Sequence, residues 1–370
     1  MKIEFHNLKA CNGSYGDQIK MRLATVVDSG HYLLGNELSR FEQRFSQFVG
    51  TEHCLGVNSG LDALRLIVKS LGIGPGDEVL VSAHTFFATW IAVIECGATL
   101  IPVDLRPGEL NMMCDQLEPL RTANTKAVVA VHMYGSTCDI GPIEEWCRYH
   151  GLFLIEDAAQ SHGASFAGRM VGSFGNAAAW SFYPSKNLGS LGNGGAVTTG
   201  DSALADKVRS LRNYGSRERY VYDAIGMNSR LDEMQAAVLD CKLDYLEGEN
   251  NRRREIAHHY FERLATVDDL QLPFCLKRPE IQAVWHQFPV LTSRRSELQA
   301  HLADKGITTL IHYPVPNHLQ SALNSVQGFQ ALKLPVCEMV ARQELSLPIS
   351  HEHTDDEIDF ICDAIIGFFS

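Results

Sequence analysis

Short apolar runs bounded by turn residues alternate with helix-period segments through the first two-thirds of this 370-residue chain, and that alternation limits the fold more than any other feature. The runs are residues 78–81, 99–103, 127–132, 153–157, 177–182 and 196–199. Their length suits buried strands. Between most of them lie segments with helical spacing of apolar residues, at 60–69, 86–95 and 143–150. Strands joined through helices need crossovers, so the pattern predicts an α/β fold with a mainly parallel sheet covered by helices. In such sheets ligands collect at the carboxyl ends of the strands.

The length exceeds that of the usual single domain, which predicts a large α/β domain over 1–245 and a smaller α+β domain over 246–370. The stretch 232–264 is helical in pattern, highly charged at 247–255, and placed to bridge the two. Beyond it, 284–291 reads as a strand and 296–305 as a helix opened by Ser296. A terminal helix over 354–369 has Thr354 as its N-cap.

Composition excludes several classes. Against 44 acidic residues stand 32 Lys and Arg, a net charge of −12 that repels nucleic acid. The apolar stretch 86–103 approaches membrane-spanning length, but Gly97 and Pro102 break it into a helix and a short strand. MKIEFHNLKA has no apolar signal core, and the ten cysteines form no CxxC pair, so reduced thiols in a cytoplasmic protein are expected. No metal is expected. His258 and His259 are adjacent on a helix and point about 100° apart. Arg252 to Arg254, Arg294 with Arg295, and His351 with His353 read as solvated residues.

The chemistry concentrates after residue 153. Lys186 follows an apolar strand and sits among Ser, Asn and Gly, where its amine can be desolvated into a nucleophile for Schiff-base chemistry with pyridoxal 5'-phosphate. That cofactor needs a carboxylate to keep its ring nitrogen protonated. Asp157, ending a strand, can supply it. Gln160, in the turn three residues on, can hydrogen-bond the phenolic oxygen. NSGLDAL places Ser59 and Gly60 at a helix start that favours an anion, and Ser181 can add a hydroxyl.

Taken in order, these motifs resemble the DegT/DnrJ/EryC1/StrS family of nucleotide-sugar aminotransferases, within fold-type I of the pyridoxal-phosphate enzymes. The matching motifs are SGHYLLGNELSRFE, NSGLDAL, PGDEVLVSAHTFFAT, EDAAQSHGA, SFYPSKNLGSLGNGGAV, NYGSRERY, GMNSRLDEMQAAVL and IHYPVPNHLQ. The resemblance implies Lys186 as the Schiff-base lysine and proton shuttle, Asp157 at the pyridine nitrogen, Gln160 at the phenolic oxygen and Phe86 stacked on the ring. It also implies that Gly60, Leu61 and Ser181 hold the phosphate, with Asn228 reaching it from the partner subunit of a homodimer. Asn193 departs from the family's usual Asp, and Asn keeps both turn tolerance and an acceptor.

The same resemblance implies L-glutamate as donor, 2-oxoglutarate as product and a nucleotide-linked keto-sugar as acceptor. Arg219 would meet the pyrophosphate, while Tyr183, His312 and Tyr313 would line the sugar pocket. HTFFATWIAV, SFYPSKN and IHYPVP look most like the subgroup aminating dTDP-linked 3-keto-6-deoxyhexoses for surface polysaccharides. A 4-keto sugar is the nearest alternative. A non-catalytic cofactor-binding regulator is the alternative from another class, but it would be expected to carry a basic helix-turn-helix segment, and the first 50 residues are taken by family-like motifs.

Overall fold

The computed structural model describes residues 2–273, 275, 278–326, 329 and 331–370. Seven strands form its central sheet: β1 (His53–Val57), β2 (Glu78–Ser82), β3 (Thr99–Val103), β4 (Thr125–Val131), β5 (Phe153–Asp157), β6 (Ala177–Ser181) and β7 (Gly195–Thr199). Their order is β1-β7-β6-β5-β4-β2-β3. β7 runs antiparallel to both neighbours, and every other pairing is parallel.

Strand alternation explains the two covered faces. Val79, Val81, Val129, Ile155, Ala177 and Ala179 face one apolar core, shared with Leu66 and Ile67 of helix Gly60–Ser70 and Trp90 of helix Phe87–Glu95. Leu80, Val128, Ala130 and Leu154 face the opposite side, as do Ala178 and Trp180, which meet Phe41 and Phe45 of helix Asn36–Val49. Fully burying each of these larger side chains contributes about 1.5–3 kcal/mol.

β1 is the strand that the apolar-run pattern omits. Gly56 interrupts its pattern for a packing reason: a Cβ there would stand 2.6 Å from Leu38 Cδ1 and 2.9 Å from Leu231 Cβ. The apolar stretch at 86–103 is the helix Phe87–Glu95 followed by β3. Among the described residues no helix is long and apolar enough to cross a membrane.

A second core joins Ile256 and Tyr260 to Phe288, Val290, Leu298, Leu302, Leu345, Leu347, Ile358 and Ile361. Segments cross between the cores in both directions. Ile3 packs in the second, whereas Leu323, Phe329, Leu334 and Cys337 pack against the first.

Several details differ from the sequence-based expectations. The 232–264 stretch is two helices, Glu233–Leu243 and Leu246–Leu264, separated at Asp244 and Tyr245. Only Phe288–Leu291 pairs as a strand, with Glu344–Leu347, because the Val284 N–H turns away to donate to the Gly135 carbonyl at 2.7 Å. Helix Arg295–Asp304 is capped at Arg294 without a side-chain bond, so Ser296 does not open it. Thr354 does cap helix Asp355–Phe369, in a capping box with Glu357.

Candidate active site

The carboxyl edge of the sheet collects the first half of the site. Asp157, the last residue of β5, is 7% exposed and aimed away from solvent. Its Oδ2 accepts the Thr89 hydroxyl at 2.7 Å and its Oδ1 the Ala159 N–H at 3.2 Å. Burial pushes this carboxyl's pKa up, while Thr89, Ala159 and the charge of Lys186 pull it back.

Lys186 leaves the end of β6 on a tight loop, its N–H donating to the Tyr183 carbonyl at 2.8 Å. The next residue anchors that loop. Asn187 Nδ2 donates to Asn250 Oδ1 and to the Val284 carbonyl, both at 2.9 Å, and Asn187 is buried. Lys186 Nζ lies 3.4 Å from His286 Nε2. Burial lowers the lysine pKa to about 8, with Asp157 acting in the opposite sense. A lysine in that range offers a useful fraction of neutral, nucleophilic amine near neutral pH.

Next to Ser181 lies a helix start that could hold an anion. Helix Gly60–Ser70 starts after Ser59, whose hydroxyl accepts the Asp62 N–H at 3.1 Å, and Gly60 and Leu61 occupy the first turn, where amides have no intrahelical acceptor. A Cβ on Gly60 would lie 2.8 Å from Ser181 Cβ, so the Ser181 side chain adjoins this helix start. Gly195 is held equally close, with a built Cβ 2.8 Å from the Gly60 nitrogen.

The second half of the site comes from farther along the chain. Gln160 Oε1 accepts the Tyr134 N–H at 2.7 Å, and its Nε2 lies 3.4 Å from the Tyr313 hydroxyl. The Phe86 and Tyr313 rings are 5.6 Å apart and tilted by 47°. Tyr183, His286 and His312 line a cavity of about 500 Å³ with Ser185, Gln287 and Leu310. Burial lowers the His312 pKa to about 4 and holds that of His286 well below the ordinary imidazole value, so both rings are neutral at physiological pH.

Two expected site residues stand apart in the single chain. Arg219 is exposed on the hairpin Ser216–Glu218 to Val221–Tyr222, its guanidinium 5.0 Å from the Tyr220 ring centre. Asn228 is exposed and accepts from Arg230 at 2.6 Å. Its neighbour Ser229, however, accepts the Asn58 N–H at 3.1 Å and donates to Asp62 at 2.8 Å, which sets this loop beside the same helix start.

Sequence reasoning missed His286, Thr89 and the buried pair His84–Tyr134, joined at 2.8 Å. Thr89 had a readable signal, since it lies in the first turn of a helix beginning beside Phe86. His286 had none, because WHQFPV reads simply as a strand. Arg253 was also misjudged: it is buried and donates to the Ile349 carbonyl at 2.6 Å rather than to water. His353, likewise expected to be solvated, is 5% exposed.

Of the adjacent histidines, His258 contacts Glu262 at 3.1 Å and His259 contacts Asp359 at 3.0 Å. Away from the site, His6, Cys11 and Glu352 bring potential ligand atoms within 4.8 Å of one another. Glu352 is already engaged there, by the Cys11 thiol and the Asn7 N–H, each at 3.1 Å.

The donor set fits pyridoxal phosphate: a desolvated lysine, a buried carboxylate, and helix-terminal amides adjoining a hydroxyl that could hold a phosphate. Fold and site together define a fold-type I pyridoxal-phosphate-dependent transferase. The chain belongs to the DegT/DnrJ/EryC1/StrS aminotransferase family, whose model matches residues 14–366. It is 48% identical over 350 residues to dTDP-3-amino-3,4,6-trideoxy-alpha-D-glucose transaminase of Streptomyces venezuelae, covering 94% of this chain and 91% of that protein. Identity is 42% over 363 residues to dTDP-3-amino-3,6-dideoxy-alpha-D-galactopyranose transaminase of Aneurinibacillus thermoaerophilus, covering 98% of each. The crystal structure of S. venezuelae DesV in complex with a ketimine intermediate matches with a TM-score of 0.96 at 45% identity, covering 100% of this chain and 99% of that one.

Proposed function

We propose that this chain transfers the amino group of L-glutamate to C3 of a dTDP-linked 3-keto-6-deoxyhexose, releasing 2-oxoglutarate and a 3-amino-3,6-dideoxy sugar nucleotide for surface polysaccharide. The observation that carries the chemistry is that Lys186, its amine 3.4 Å from His286 Nε2, and the carboxyl of Asp157 are both buried and close enough for their charges to act on each other, with the helix start at Gly60 adjoining Ser181. The choice of sugar rests on near full-length likeness to two dTDP-3-amino-sugar transaminases.

The residues divide the work by position. In this reading Gly60, Leu61 and Ser181 would hold the cofactor's phosphate, Gln160 would meet its phenolic oxygen and Phe86 would cover its ring. Bound pyridoxal phosphate acts as an electron sink, provided that its ring nitrogen stays protonated. Asp157, held by the Thr89 hydroxyl, would supply the charge for that. Lys186 would hold and move a proton at Nζ, and its lowered pKa suits that role. Neutral His286 beside Nζ leaves the amine without a competing positive neighbour.

Tyr183, His312 and Tyr313 line the sugar pocket in this reading, and Arg219 and Asn228 complete a site across the interface of a homodimer. Tyr32, Leu33, Leu34 and Ile225 are exposed and available to such an interface. A cytoplasmic location and a division near residue 245, with the two segment crossings described above, belong to the same proposal.

The test supplies the 3-keto and 4-keto isomers of dTDP-6-deoxyglucose separately with glutamate and locates the new amine by NMR. Amination at C3 is expected. Exclusive amination at C4 refutes the regiochemistry, and protein that stays colourless after incubation with pyridoxal phosphate refutes the enzyme altogether.

A further inference from the structure

His312 is fixed at every polar atom except one. Its N–H donates to Glu344 Oε2 at 2.6 Å, and its carbonyl accepts the Tyr134 hydroxyl at 2.6 Å. Its ring Nδ1 lies 2.9 Å from Ser346 Oγ, which lies 2.5 Å from Glu344 Oε1. Glu344 and Ser346 are both fully buried, on one strand that pairs with Phe288–Leu291. Nε2 is the remaining ring nitrogen of a side chain that lines the cavity.

A neutral imidazole carries its proton on one nitrogen, and the bond made by the inner nitrogen decides which. Ser346 has one hydroxyl proton. If it goes to Glu344, its oxygen must accept from His312 Nδ1–H, and Nε2 then presents a lone pair to the cavity. If Glu344 holds a proton and donates it to Ser346, the hydroxyl donates to Nδ1, and Nε2–H faces outward. The line Glu344–Ser346–His312 therefore has two hydrogen-bonding states, related by one proton on Glu344.

We propose that Glu344 is a positioning residue that sets the tautomer of His312 through Ser346, and so decides whether Nε2 accepts from a sugar hydroxyl or donates to a sugar oxygen. The assignment of the sugar as the group met by Nε2 rests on the function proposed above; the tautomer relay does not. Burial pushes the Glu344 carboxyl up to about 8, while the Ser346 hydroxyl and the His312 N–H pull the other way, so both states lie near neutral pH. The groups facing Glu344 are few. Arg295, on helix Arg295–Asp304, favours its ionised form, and Tyr134, Tyr313 and His312 remain neutral over this range.

The full-length protein with 15N-labelled histidine tests this between pH 6 and 9.5, the His312 signal being the one lost in His312→Gln. The wild type should pass from Nε2–H to Nδ1–H as pH rises, with a midpoint near 8. Glu344→Gln, whose amide N–H can only donate toward Ser346, should hold Nε2–H throughout, and Ser346→Ala should abolish the transition. A single tautomer at every pH in the wild type, or a Glu344→Gln spectrum that still titrates, overturns the proposal.

A second readout brings in the substrate. The wild-type KM for the keto-sugar should change about tenfold across the transition, the size of one hydrogen bond to a fixed partner. In Glu344→Gln that dependence should vanish while the bleaching by glutamate keeps its own pH profile. A tautomer switch without effect on keto-sugar KM would remove the sugar from the proposal and leave the relay; no bleaching by glutamate would refute the proposed function instead.

Discussion

The two walls of the site are built by different kinds of contact. On the sheet side, Asp157, Ser181 and Gly60 stand where strands end or a helix begins, so backbone geometry presents them at the sheet's carboxyl edge. On the other side, His286, His312 and Tyr313 arrive on loops held by buried polar side chains: Asn187 on the Val284 carbonyl, Tyr134 on the His312 carbonyl and Glu344 on its N–H. The contrast separates two tasks. Under the proposed function, the groups assigned to the cofactor sit on the rigid edge, and those assigned to the sugar sit on loops that can be re-set by changing their buried supports.

Replacing Lys186, the proposed nucleophile, separates the walls most sharply. Lys186→Ala should lower multiple-turnover transamination by about three orders of magnitude or more, since it removes both nucleophile and proton carrier. The protein should still unfold cooperatively, and residual wild-type turnover would show that the sheet wall does not carry the chemistry. Asp157→Asn should follow, cutting the rate of the glutamate half-reaction by roughly 100-fold, because the isosteric amide keeps the Thr89 contact but loses the charge. Stopped-flow bleaching measures it, and an effect confined to the keto-sugar half-reaction would contradict the division.

The sheet wall was also the legible one. Strand ends show in sequence as apolar runs stopping at a polar residue, and Asp157 ends such a run; the run at 177–182 continues one residue past Ser181, where the strand itself stops. Gly60 opens a helix after a recognisable cap. His286 and Glu344 were silent because their meaning lies in contacts across 100 and 32 residues, to Lys186 and His312 respectively, and no local period encodes those distances. Arg253 illustrates the same limit. Its neighbours Arg252 and Arg254 reach the acidic partners Asp355 and Glu247, so the local pattern of a charged helix is real, yet the middle arginine turns inward to the Ile349 carbonyl.

That arginine offers the next test. Arg253→Met should cost about 2–3 kcal/mol by removing charged hydrogen bonds that hold the 349–350 turn against its helix. Urea unfolding should register the loss. If the sheet wall is independent, glutamate bleaching in the folded variant should change less than keto-sugar KM; equal losses in both would merge the two walls into one unit.

The last effect, visible only in acid, concerns the clasp between the N-terminal segment and the second core. Burial opposes ionisation of Glu352, but the Ser350 hydroxyl, the Cys11 thiol and the backbone N–H groups, including that of Asn7, hold its carboxyl down at about 2. A carboxyl whose pKa is lower folded than unfolded stabilises the fold fully above the ordinary carboxylate range, and loses that contribution as pH falls through it toward the folded value. Thermal midpoints of the wild type should therefore fall faster than those of Glu352→Gln between pH 5 and about 2, because acid-sensitive groups elsewhere are common to both and cancel in the difference. The two curves should converge at the acid end. Parallel curves would mean that the carboxylate contributes no linked stability, and that Ile3 in its apolar core, rather than the polar clasp, keeps the first residues in place.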